Sequence, residues 1–69
     1  MKVHELLNKI QFQENDKNEI VFESEFTYEI FVEEDVRDWF RIFEFLERDV
    51  KSFEDRIWGD YTHELKIFI

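Results

Sequence analysis

The sequence predicts an α+β domain: a small, mainly antiparallel sheet packed on one long amphipathic helix, with a short N-terminal helix ahead of them. Three observations predict it. Apolar residues recur with helical spacing near the start and again over residues 36–58, they alternate with glutamate over residues 19–33, and alternation returns after Gly59. A chain of 69 residues has material for one core, so residues 1–69 are read as a single acidic domain.

Val3, Leu6, Leu7 and Ile10 fall at i, i+3, i+4 and i+7 and line one face of a helix over residues 2–10. The run Glu14-Asn15-Asp16-Lys17-Asn18 then gathers residues whose side chains bond their own backbone, the signature of a loop. From Ile20 to Val32 the even positions are mostly apolar and the odd ones mostly glutamate, which marks a half-buried sheet. One strand of that length would span roughly 43 Å at about 3.3 Å per residue, so a break near Ser24 and Glu25 is expected, giving a hairpin. The alternation keeps its parity across the break. A three-residue connection, a bulge or one long bent strand would preserve it, whereas a two-residue loop would invert it.

Asp35 is placed to cap a helix beginning at Val36. Val36, Trp39, Phe40, Phe43, Leu46, Val50, Phe53 and Ile57 follow at helical spacing, and Gly59 stands where a C-terminal cap would. A helix over residues 36–58 would be about 34 Å long, with Glu44–Arg48 and Glu47–Lys51 pairs on its wet side. Tyr61, His63, Leu65, Ile67 and Ile69 then alternate as a last strand over residues 61–69.

Eighteen acidic and nine basic side chains give a net charge of −9. The excess is local: residues 14–35 hold nine acids against Lys17, a net of −8. Such a chain does not bind DNA, RNA or an anionic membrane directly, since each requires Lys and Arg to displace counterions. A charged partner would be basic. The alternation sends Glu19, Glu23, Glu25, Glu29 and Glu33 to one solvated face, a carboxylate ribbon with charges about 6.6 Å apart along a strand. That ribbon suggests an interaction protein whose sheet imitates a nucleic-acid backbone and blocks the basic site of a nucleic-acid-binding protein. In size, charge and lack of cysteine the chain resembles the small acidic inhibitors encoded by phages and mobile elements. The plainer alternative is that glutamate keeps a wet sheet face soluble and its edges unpaired.

Apolar residues outside the expected core add to this picture. Phe31, between Glu29 and Glu33, is the candidate aromatic anchor for the partner. Phe45 falls outside the arc of the long helix and Ile42 near its margin, and these suggest a self-association surface, hence an adaptor or homodimer as the second reading. His4 and His63 are isolated, so neither a metal site nor a cofactor is expected. One glycine excludes a glycine-rich phosphate loop, Ser24 and Ser52 lack the context of an activated nucleophile, and Glu14, Asp16 and Asn18 lack the central glycine of a calcium loop. The expected protein is not an enzyme. With no cysteine, no apolar leader and no membrane-length apolar run, it is expected in the cytoplasm.

Overall fold

A computed structural model describes residues 1–10, 17–32, 40–58 and 62–69. They form helix α1 (Val3–Lys9), strands β1 (Lys17–Glu23) and β2 (Tyr28–Val32), a helical segment over residues 40–45 that tightens into a 3-10 turn at Phe43–Phe45, and strands β3 (Ser52–Trp58) and β4 (Thr62–Phe68). The four strands make one mixed sheet in the order β2-β1-β4-β3. The central pair, β1 and β4, is parallel, and the two outer pairs are antiparallel.

The expected architecture of a sheet on one long helix is therefore corrected: the protein is mostly sheet, and no long helix occurs among the described residues. Among the described residues of the span 36–58, only 40–45 are helical. Phe53 and Ile57 are four apart, a spacing that suits both a helix and one face of a strand, and pairing with β4 resolves the ambiguity toward a strand. In the resulting register Glu54 stands opposite Lys66 and Arg56 opposite Glu64, opposite charges that favour cross-strand pairing. Gly59, read as a helix cap, falls between two antiparallel strands, and it lies with Asp35 and Val36 outside the described residues. The sheet is mixed, because the last strand enters the middle, parallel to β1 and antiparallel to β3. Lys17 and Asn18, read as loop, begin β1.

At the N-terminus, a helix occupies Val3–Lys9 within the span 2–10. Its first-turn amides, which have no partner within the helix, are satisfied by the chain that precedes β3: Val3 N donates to the Arg48 carbonyl (3.0 Å) and His4 N to the Leu46 carbonyl (3.1 Å). The Glu5 carboxylate reaches back to accept from the Lys2 amide at 2.9 Å, half of a capping box. Val50 N donates to the Met1 carbonyl (2.8 Å), and Lys2 Nζ pairs with Asp49 at 3.0 Å. The core lies on one side of the sheet. Val3 and Leu6 of α1, with Ile42 and Phe45 of the helical segment, cover Ile20 and Phe22 of β1, Phe31 of β2, and Leu65 and Ile67 of β4.

Candidate functional site

The hairpin between β1 and β2 decides which residues face solvent. Glu23 pairs with Tyr28, leaving Ser24, Glu25, Phe26 and Thr27 as a four-residue connection. Ser24 N donates to the Thr27 carbonyl (2.8 Å), and the Ser24 hydroxyl accepts from Phe26 N (3.3 Å), a local bond typical of serine in turns. A connection with an even number of residues inverts parity, so the alternation continues in sequence while the faces exchange. Asn18, Ile20 and Phe22 share the core side with Glu29 and Phe31, whereas Glu19, Val21 and Glu23 share the open side with Tyr28, Ile30 and Val32.

The glutamates expected on one plane are consequently dispersed. Glu19 and Glu23 lie on the open side, and Glu25 is in the turn. Glu29 lies on the core side, where it accepts a hydrogen bond from Arg41 Nη2 at 2.5 Å, and Glu33 lies outside the described residues. Cations from elsewhere in the fold are interspersed with the carboxylates that stay on the open side. Lys17 Nζ is 3.2 Å from Glu19, and Lys66 and Arg56 share that side with Glu54 and Glu64. Among the described residues the open face is mixed in sign and is not a carboxylate ribbon.

The expected aromatic anchors are interior. Phe31, Ile42 and Phe45 are only 1–6% exposed, so neither the partner-binding role expected of Phe31 nor the self-association surface expected of Ile42 and Phe45 is available at the surface. Phe31 meets Phe22 and Phe45 edge-on at 5.7 and 5.9 Å, and the Arg41 guanidinium lies 5.4 Å above its ring. Phe45 is buried because the chain does not continue as the helix whose far side it would occupy.

Inversion exposes a different set. Tyr28 is 58% and Ile30 48% exposed, and with Val32 they form an apolar column along edge strand β2, beside Glu23, Val21 and Glu19 on β1. Lys66 stands opposite Val21 and carries its ammonium to within 6.0 Å of the Tyr28 ring, so its alkyl stem crosses β1. That crossing accounts for the burial of Val21 on an otherwise open face. The serine at the start of the turn was the available sequence signal for this column, since it favours a closed four-residue connection over a bulge.

The other polar cluster is His63, buried on β4. Its Nδ1 lies 3.1 Å from Asn18 Oδ1 and its Nε2 is hydrogen-bonded to the Asp55 carboxylate, so three strands hold the ring in one orientation. Sequence reading took His63 as isolated and missed both partners, which come from positions 45 and 8 residues away. Ser52 and Thr62 lie on the opposite side of the sheet by register, so neither of these strand hydroxyls meets the Asp55–His63 pair. His4 approaches Glu47 at 3.9 Å on the surface. Among the described residues no three His, Cys, Asp or Glu side chains converge as metal ligands, and no helix is long and apolar enough to cross a membrane. Comparison with protein-family models, with curated proteins and with solved structures found no match to this chain.

Proposed function

We propose that the protein is a non-enzymatic interaction protein that binds a basic protein partner through the open side of its β1–β2 edge. The observation carrying this reading is the exposed column Tyr28-Ile30-Val32 flanked by Glu19 and Glu23, an apolar centre with an acidic margin. The net charge of −9 selects for a basic partner and against a direct nucleic-acid or anionic-membrane contact. A sheet-wide imitation of nucleic acid loses its support, because the glutamates do not share a plane. A narrower form stands: the partner is a nucleic-acid-binding protein whose basic site is occupied by this edge, as a phage or mobile-element inhibitor would occupy it.

The test is titration of the chain against purified basic nucleic-acid-binding proteins at low and high salt, with duplex DNA and structured RNA as competitors. Binding is expected to weaken with salt, to compete with nucleic acid, and to be lost in both Ile30→Asp and the pair Glu19→Lys, Glu23→Lys. Binding that is unchanged in all three respects would overturn the assignment.

A further inference from the structure

The opposite edge of the sheet carries a second kind of complementarity. Among the described residues strand β3 is bonded on one side only, and it is exposed on the core side as well, since α1 and the helical segment cover β2, β1 and β4: Phe53 is 42% and Ile57 63% exposed. Charged residues on an edge strand usually keep it from pairing with another chain. Here their order does the opposite.

The hydrogen-bond phase shows which backbone groups are open. Ile69 N donates to the Glu23 carbonyl (2.9 Å), so the odd-numbered residues at this end of β4 turn their amides and carbonyls to β1 and the even-numbered ones to β3. Through the antiparallel register, Ser52, Glu54, Arg56 and Trp58 are the residues of β3 that turn to β4. The amides and carbonyls of Phe53, Asp55 and Ile57 therefore point away from the sheet.

We propose that β3 pairs antiparallel with β3 of a second copy of this chain, about a two-fold axis through Asp55. Phe53 then exchanges backbone hydrogen bonds with Ile57 of the second copy, Asp55 with Asp55, and Ile57 with Phe53, so that six outward groups on each strand are satisfied. On the open side Glu54 stands opposite Arg56 of the second copy and Arg56 opposite Glu54. Within one chain Arg56 already meets Glu54 at 2.5 Å, so the dimer closes a ring of four alternating charges. On the core side each exposed Phe53 covers an exposed Ile57. Moving the axis by one residue either way would set Glu54 against Glu54 or Arg56 against Arg56, so charge selects the central register. The two Asp55 carboxylates face each other across the axis, but each is drawn toward its own β4 by the bond to His63. The product is a continuous eight-stranded sheet with the two β2 edges at its outer ends, roughly 34 Å apart at about 4.8 Å per strand.

The pairing is tested by sedimentation of the wild-type chain and of Glu54→Arg and Arg56→Glu. The wild type is expected to dimerise with rising concentration, and each variant to dimerise roughly tenfold or more weakly, because each sets like charges against each other twice. Mixing the two variants should restore the dimer as a heterodimer, since every facing pair is then opposite in sign. Ile57→Pro is the backbone control: it removes an outward amide without touching the ladder to β4, and should leave a folded monomer. A wild type that stays monomeric at millimolar concentration, a dimer indifferent to the two charge variants, or variants that fail to combine when mixed would each overturn the proposal.

Discussion

The rings of Phe22 and Phe45 lie stacked at 4.3 Å with 8° between their planes, one from the sheet and one from the helical segment that crosses it. With Phe31 edge-on to both, the three make the aromatic centre of the core. Phe45→Ala is expected to cost about 3–5 kcal/mol, against less than about 0.5 kcal/mol for truncating a surface aromatic. Urea denaturation measures it, and a double-mutant cycle with Phe22 should show coupling of about 0.5–1.5 kcal/mol. A near-neutral Phe45→Ala would place this ring at the surface.

The length of the connection between Glu23 and Tyr28 should matter more than its composition. Phe26 is 93% exposed, and Phe26→Ser is expected to change stability by no more than about 0.5 kcal/mol. Deleting Phe26 leaves three residues, which breaks the closed turn between Ser24 and Thr27 while Glu23 stays opposite Tyr28 and Phe31 stays on the core side. The deletion should therefore destabilise by the loss of that turn bond, about 1 kcal/mol or more, in the same denaturation experiment.

Asn18 and His63 join the two parallel strands from inside. Asn18→Ala removes that bond beneath the sheet and is expected to cost about 1–3 kcal/mol. Broadening or doubling of the His63 ring resonances in NMR should accompany it, because the ring loses the contact that holds its Nδ1.

Two carboxyl groups at the N-terminal junction should titrate early. The Lys2 backbone amide holds Glu5 below the ordinary carboxylate range, and the hydrogen bond from Lys2 followed by its charge does the same for Asp49. Each folded-state pKa lies below its unfolded value, so their stabilisation is complete above the ordinary range of about 4 and is lost as pH falls through the depressed values. Carbon-detected NMR titration should show both midpoints below those of typical surface glutamates, with release of Met1 and Lys2 from the Asp49–Val50 segment at the acid end.

The legible parts of the fold were those set by a single period. Val3, Leu6, Leu7 and Ile10 announce α1, and the alternation from Leu65 to Ile69 announces β4. The β1–β2 hairpin was legible as a break but not as an inversion, because the faces depend on whether three or four residues turn the chain, and Ser24 through Thr27 carry no glycine to declare the turn type. The long helix failed where Phe53 and Ile57 satisfied two periods at once. Of the candidate site, Glu19 and Glu23 were read onto the solvated face that they occupy; the apolar column beside them was not read, since Tyr28, Ile30 and Val32 looked like core.

The parallel pairing of β1 with β4 has a consequence for synthesis. Everything from Met1 to Trp58 leaves the ribosome before the strand that completes the middle of the sheet, so until residues 62–68 emerge the β1–β2 hairpin has one unfilled flank and β3 has no neighbour. A nascent chain of this protein thus carries an open gap between its hairpin and β3, and the sheet becomes continuous only when β4 is inserted between them.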